Sequence, residues 1–240
     1  ANYLIECAGT KVLVDCGLHQ GGRLAEKENY QPFPYNPSEI KALFVTHAHL
    51  DHIGRIPKLY REGFRGDIYA THPSLDLARL NLDDSVHILK KEAEEHNDKP
   101  LFEEDDVVNV WKLTHGRNYH QEIKINKDIT AKLYDAGHIL GSSIVELSLS
   151  ESGRKVKIIF SGDLGNPPTP LLRPSEFIAQ ADYVLVESAY GDRLHEDKSQ
   201  RQEKLKTIIE GVIKNGGTLM IPAFALERTQ ELLYGINNLV

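Results

Sequence analysis

The stretch Thr46-His47-Ala48-His49-Leu50-Asp51-His52-Ile53-Gly54 dominates the interpretation of this chain. It places four potential metal ligands close together, namely His47, His49, Asp51 and His52. The apolar run at residues 42–45 comes directly before it and predicts a buried strand. A short loop after a rigid strand can direct several side chains to one point, and imidazole and carboxylate both suit zinc. The pattern predicts a metal site; the alternative is a polar loop rich in histidine.

Composition excludes some classes of function. The 240 residues include 40% hydrophobic and 26% charged residues, as in a globular protein with a sizeable core. No stretch approaches the roughly 20 apolar residues of a membrane span, so no membrane partner is expected. The net charge of −7 is no basic signature for nucleic acid, although a local groove or bound metal ions could still receive phosphates.

The chain has two cysteines, Cys7 and Cys16, on or beside consecutive predicted strands. A disulfide between them is conceivable, but two thiols in a chain of this length fit a reducing cytosol better, so we expect a cytoplasmic protein. We interpret both as small buried apolar residues.

The hydrophobic pattern predicts an α/β architecture, since strands alternate with helices after an initial hairpin. The predicted strands cover residues 4–7, 11–15, 42–45, 67–71, 129–134, 143–149, 155–161, 183–187 and 218–221. The predicted helices cover residues 53–60, 74–96 with Ser74 as N-cap, 102–113, 199–214 and a segment starting near 224.

Two later stretches also end an apolar strand on a potential ligand. They are Gly137-His138 and Ser161-Gly162-Asp163, and in each a glycine beside the ligand allows close approach of the backbone. Either one alone is more often a plain turn. Because they follow the first cluster in this order, we include both in the predicted metal site.

In that order, these motifs resemble those of the metallo-β-lactamase superfamily. The resemblance implies an αββα sandwich with a dinuclear metal site along one edge of its sheets. It implies that His47, His49 and His138 hold the first metal, that Asp51 and His52 hold the second, and that Asp163 bridges them. Histidine at position 49 points to zinc, with manganese or iron still open. Two such ions share and deprotonate a water molecule that attacks an electrophile.

Further stretches resemble the β-CASP group of nucleases within this superfamily. They are residues 12–21, residues 184–193 with His195, and residues 216–233. The resemblance implies a ribonuclease with RNA as substrate, a metallo-β-lactamase domain over residues 1–197 and the start of a β-CASP domain over residues 198–240. Asp51 and Glu187 are then the expected catalytic carboxylates, with Glu187 orienting a histidine that assists the leaving oxygen. A homodimer or an RNA-processing complex stays open.

Several of these residues could have a purely structural role instead. Glu187 could be a surface carboxylate ending a strand, and Asp192, Arg193 and His195 could form a salt-bridging turn. We interpret the histidines that lack any motif as surface or packing residues: His72, His87, His96, His115 and His120. For the whole chain, the alternatives are an inactive RNA-binding scaffold, a small-molecule hydrolase and a DNA nuclease.

The chain departs from the family pattern at its ends. It opens at Ala1 in mid-pattern, so we expect it to lack its native N-terminus and first strand. The resemblance implies two further histidine motifs after the insert, one of which completes the ligands of the second metal. We therefore expect this stretch to hold the first metal better than the second, and to be inactive by itself.

Overall fold

A computed structural model describes residues 1–96, 99–194 and 200–239, leaving out the side chains of residues 23, 24 and 96. The strands are β1 Tyr3–Cys7, β2 Thr10–Val14, β3 Ile40–Phe44, β4 Asp67–Thr71, β5 Thr114–Arg117, β6 Ile123–Lys124, β7 Ile129–Asp135, β8 Ser143–Glu151, β9 Arg154–Phe160 and β10 Tyr183–Leu185. The helices are α1 Arg23–Glu28, α2 Leu50–Ile53, α3 Ile56–Arg61, α4 His72–His96, α5 Glu104–Trp111, α6 Arg201–Lys214 and α7 Arg228–Asn237.

The strands form two five-stranded sheets. The first has the order β1-β2-β3-β4-β5, with an antiparallel β1–β2 hairpin followed by parallel pairs. The second has the order β10-β9-β8-β7-β6, antiparallel except for the parallel pair β9–β10. The carboxyl ends of β2 and β3 therefore lie side by side at one edge of the first sheet.

Alternation along the strands divides the core into layers. In β3, Ala42 and Phe44 face the second sheet, where they meet Leu133 of β7 and Val145 of β8. Leu43 of the same strand belongs to the opposite core. Because successive side chains of a strand point to opposite faces, an almost continuous apolar strand is what a sheet covered on both sides requires.

Helices α3, α4 and α5 cover the outer face of the first sheet. Their apolar side chains, among them Leu59, Leu82 and Val107, are fully or almost fully buried in this core. On the outer face of the second sheet, Leu164 and Ile178 pack against Ala136, Ile144 and Ile159. Two face-to-face sheets with a helical layer confirm the predicted αββα fold class.

Most predicted elements are present, but four predictions were wrong in detail. The helix expected at 53–60 is two helices, α2 and α3, because Gly54 and Arg55 interrupt it. Ser74 is not an N-cap: it lies inside α4, and its hydroxyl donates to the carbonyl of Gly141. The segment 218–221 is not a strand, since it has no strand partner in the described chain. The last helix starts at Arg228, not near 224.

Both cysteines are free thiols and buried, as interpreted from the sequence. Burial raises the pKa of Cys16 to about 12, so that this thiol stays neutral. None of the described helices is long and apolar enough to cross a membrane.

Gly17 follows β2 and lies where this part of the backbone meets the start of α2. A Cβ atom at this position would lie 1.6 Å from the carbonyl oxygen of Asp51. The amide of the following residue, Leu18, donates to the carbonyl of Leu50 at 2.8 Å. Only glycine allows the two backbones to approach this closely.

We predict that Gly17→Ala lowers the free energy of unfolding by roughly 1–3 kcal/mol or more, because the added methyl group must displace backbone. The matched control is Gly211→Ala in α6, where an added Cβ meets open space. That change should raise stability by about 0.5–1 kcal/mol, since alanine favours the helix. Urea titrations of both variants measure the difference, and equal midpoints would contradict the close approach.

Candidate metal centre

Three strand ends bring the predicted ligands to one edge of the sandwich. His47, His49, Asp51 and His52 follow β3, and the last two lie on the short helix α2. His138 lies in the loop between β7 and β8, and Asp163 follows β9. The two sheets thus contribute ligands from opposite sides of the same edge, although these residues are far apart in the sequence.

Three histidines and one carboxylate form a first group. The Nδ1 atom of His49 lies 3.1 Å from Nε2 of His47 and 3.2 Å from Nε2 of His138. The Oδ2 atom of Asp163 lies 3.7 Å from Nε2 of His47 and 3.6 Å from Nε2 of His138. The four atoms lie within 4.8 Å of one another, so this group could hold one metal ion.

A second group shares the same carboxylate. The Nε2 atom of His52 lies 3.2 Å from Oδ1 of Asp163 and 3.6 Å from Oδ2 of Asp51. Asp163 therefore presents Oδ2 to the first group and Oδ1 to the second. The side chain of Asp51 is 43% exposed, whereas that of His47 is fully buried, so the centre has a closed base and an open mouth.

The donor atoms fit a divalent metal. Zinc–nitrogen bonds of about 2.0–2.1 Å in a tetrahedral site place neighbouring nitrogens roughly 3.3 Å apart, close to the observed 3.1 and 3.2 Å. His49 turns its Nδ1 atom towards the group. Its buried Nε2 atom has no hydrogen-bond partner in the described part of the chain. A metal bound by imidazole and carboxylate explains this convergence of polar atoms.

Burial sets the protonation of the first group. It lowers the pKa of His47 well below its usual value, lowers the pKa of His138 to about 4, and lowers the pKa of His49. All three imidazoles are therefore neutral at physiological pH. Neutral imidazole is the form that binds a metal, so these side chains are ready for a cation without losing a proton.

His52 and Asp163 stabilise each other in their charged forms. Burial works against the charge on His52, but hydrogen bonds to Asp15 and Asp163 raise its pKa to about 10. Burial likewise opposes ionisation of Asp163, yet its hydrogen bond with His52 holds the pKa of that carboxyl below its usual value. A cation in the second group would take the place of the His52 proton beside Asp163.

The buried carboxylate of Asp15 orients the centre from behind. Its Oδ2 accepts from Nδ1 of His52 at 2.7 Å and from the hydroxyl of Thr46 at 2.8 Å, and its Oδ1 accepts from the amide of Thr46. These bonds turn Nε2 of His52 towards the ligand group. Sequence reasoning assigned no role to Asp15, although a carboxylate at the end of a buried strand was a signal for one.

A serine holds the loop of the third histidine. The hydroxyl oxygen of Ser142 accepts from the amides of His138, at 3.0 Å, and Ile139, at 3.2 Å. At the base of the loop, Gly165 lies so close to Gly137 that an added Cβ would be 1.8 Å from the Gly137 carbonyl oxygen. Both contacts restrict where the His138 ring can lie.

Glu187 lies beside Asp163, the carboxylate shared by the two groups. Its Oε1 accepts from the amide of Leu164, the residue after Asp163, at 3.0 Å. Burial raises the pKa of Glu187, and the negative charge of Asp163 adds to this effect. The side chain thus adjoins the predicted centre and is not an isolated surface carboxylate.

Other residues singled out from the sequence lie elsewhere or in simple pairs. Arg193 pairs with the neighbouring Asp192 at 2.9 Å, as in the salt-bridging alternative. His115 pairs with Asp67 and His120 with Glu176. His195 and the side chain of His96 lie outside the described residues.

Comparison with known proteins agrees with this geometry. A family model described as the metallo-β-lactamase superfamily domain matches residues 4–178. The chain belongs to the metallo-β-lactamase superfamily, as its motifs predicted, and the relatives that it matches are members of the β-CASP nuclease group. The division at residues 197 and 198 stays a prediction.

Three relatives illustrate the likeness. Ribonuclease TTHA0252 of Thermus thermophilus is 36% identical over 97% of this chain and 50% of its own length. The transcription termination factor FttA of Methanosarcina mazei is 31% identical over 96% of this chain and 36% of its own length. Cleavage and polyadenylation specificity factor 73 of Drosophila melanogaster is 29% identical over 96% of this chain and 32% of its own length. The chain thus spans a third to a half of these relatives.

We predict that Asp15→Asn weakens metal binding by about 10- to 100-fold, because the amide no longer holds His52 with a full negative charge. Asparagine tolerates the positive φ of 57° at this position, so the backbone should be preserved. Competition with a chromophoric zinc chelator measures the affinity.

Asp83→Asn is the matched control, since Asp83 is an exposed carboxylate on α4 that pairs with Arg79 at 3.9 Å. Its zinc affinity should equal that of the parent. Parent-like affinity in Asp15→Asn would show that the buried carboxylate does not support the site.

Proposed function

We propose that the protein containing this chain is a metal-dependent ribonuclease that hydrolyses RNA phosphodiester bonds. The observation that supports it best is Asp163, whose two carboxylate oxygens face two separate groups of potential ligands. In this proposal His47, His49 and His138 bind the first ion, Asp51 and His52 bind the second, and Asp163 bridges them. Bridging carboxylates suit two-metal hydrolysis of phosphate esters.

Zinc is the proposed metal, because three neutral imidazoles with a carboxylate suit it well. When bound, two such ions would supply a hydroxide at neutral pH and stabilise negative charge on the phosphate oxygens. The His and Asp ligands would hold the ions at the open mouth of the centre, where Asp51 is accessible to substrate.

The chain's own carboxylates have distinct proposed roles. Asp51 lies on the solvent side and can hold and orient a water molecule beside Asp163. Glu187, held by the amide of Leu164, is placed to orient a proton donor for the leaving oxygen. Burial raises the pKa of Glu187 above its usual value, which makes this carboxyl a better partner for the proton of such a donor.

RNA is the proposed substrate because of the relatives, whose names include a ribonuclease and a cleavage and polyadenylation specificity factor. The acidic net charge of −7 agrees with recognition of phosphates by metal ions instead of a broad basic surface. Free Cys7 and Cys16 agree with action in a reducing cytosol. The proposed assembly is a homodimer or an RNA-processing complex.

The test is cleavage of a labelled single-stranded RNA by the full-length protein, beside DNA of the same sequence. We expect RNA to be cut, a chelator to stop the cutting, and added zinc to restore it. Product lengths then separate endonuclease from exonuclease action. Absence of cutting by protein shown to carry two metal ions would favour a scaffold, and cutting of DNA alone would assign a DNA nuclease.

We predict that Asp163→Ala lowers the cleavage rate by at least 1000-fold, because both ligand groups lose their shared carboxylate. Asp84→Ala, which removes an exposed carboxylate of α4, should cleave like the parent. Circular dichroism of both proteins checks that the fold is intact. Parent-like cleavage by Asp163→Ala would remove the bridging assignment.

A further inference from the structure

The amide of Leu140, in the loop that carries His138, donates to a residue far along the chain. Ser142 accepts from the amides of His138 and Ile139, as described above. The next amide, that of Leu140, donates instead to Oε2 of Glu227 at 3.3 Å. A residue 87 positions later in the chain thus bonds to a loop that positions a proposed metal ligand.

The residue before Glu227 is also packed against the fold. Leu226 is partly buried and packs against the core cluster on the outer face of the first sheet. That cluster includes Ile139, which follows His138, and Ala48, which separates His47 from His49. Leu226 therefore attaches the segment before α7 to this core, and the hydrogen bond of Glu227 attaches it to the loop that carries His138.

The backbone of Glu227 is strained. Its φ of 64° and ψ of −58° fall outside the regions that side-chain-bearing residues favour, and glycine would adopt them at much lower cost. Its carbonyl accepts from the amide of Glu231 at 2.9 Å and begins α7, which helps to hold the conformation. Such strain persists where surrounding contacts enforce it, and it concentrates at functional positions.

The carboxylate itself is incompletely satisfied. Its Oε1 is buried and has no hydrogen-bond partner within the described part of the chain. A buried oxygen without a partner destabilises the folded state, as does the strained backbone. Two unfavourable features at one residue are difficult to explain if the only role of Glu227 is to stabilise the fold.

We propose that Glu227 is a positioning residue for the first metal ion, acting through the Leu140 amide on the loop that carries His138. This inference rests on the proposed function, because it takes His138 as a metal ligand. It means that the affinity of the first site depends on the docking of the segment before α7. The segment that resembles the start of the second domain then participates in building the metal centre of the first.

The experiment compares Co²⁺ binding by six forms of the full-length protein that contains this chain: the parent, Glu227→Ala, Glu227→Gln, Glu227→Gly, Glu231→Ala and His138→Ala. Competition with a chelator gives the affinity, and the visible absorption of bound Co²⁺ reports the geometry of its ligands. Urea unfolding of the metal-free proteins gives their stability. Glu231 is the matched control. It lies in the first turn of α7, just after Glu227, and it pairs with Arg228 at 3.0 Å.

We expect Glu227→Ala to weaken the tighter Co²⁺ site by about 10-fold or more and to alter its absorption band, because His138 loses its fixed position. Glu227→Gln should bind like the parent, since the amide oxygen still accepts from Leu140. Glu227→Gly should weaken Co²⁺ binding as much as alanine does, while its metal-free form is at least as stable as the parent, because glycine relieves the strain. Glu231→Ala should leave affinity and spectrum unchanged.

Parent-like affinity in both Glu227→Ala and Glu227→Gly would overturn the inference. A loss of affinity in Glu231→Ala equal to that in Glu227→Ala would do the same. His138→Ala separates this failure from a failure of the proposed function. Loss of the Co²⁺ site in His138→Ala with parent-like Glu227 variants rejects only the role of Glu227, whereas parent-like binding by His138→Ala rejects the metal assignment itself.

Discussion

The centre depends on the hydrogen bonds of one buried carboxylate, that of Asp15. It connects the end of one strand, the first residue of the histidine loop and the helix that carries His52, through hydrogen bonds of 2.7–2.8 Å. A buried charge is costly unless it is fully hydrogen-bonded, and here Thr46 and His52 satisfy it. These hydrogen bonds therefore favour one arrangement of the loop, in which the imidazoles converge.

Close backbone approach makes the same convergence possible. Gly17 lies against Asp51, Gly162 against Thr46, and Gly165 against Gly137, each within a distance that a side chain would prevent. These contacts join the loops of the two sheets along one edge. Because the loops are packed against one another, they hold the ligand atoms at separations of 3.1–3.7 Å.

Much of this could be predicted from the sequence, because strand patterns and ligand types are local features. The apolar strand before His47, the strand-end positions of His138 and Asp163, and the α/β class all follow from residues read in order. The resemblance to the metallo-β-lactamase superfamily added the expectation of an αββα sandwich. The failures are equally instructive. Residues 218–221 have the pattern of a strand but no strand beside them in the described chain, and pattern alone cannot supply a partner.

The sequence by itself determined the chemistry available: which side chains can bind a metal, and that buried strands end at each of them. Only the tertiary structure decided which atoms meet, which oxygen of Asp163 faces each group, that Asp15 supports His52, and that Glu227 reaches the His138 loop. The physical reason is range. Strand and helix patterns depend on neighbours a few positions apart, whereas hydrogen bonds between residues 31, 37 or 87 positions apart exist only after the sheets have packed.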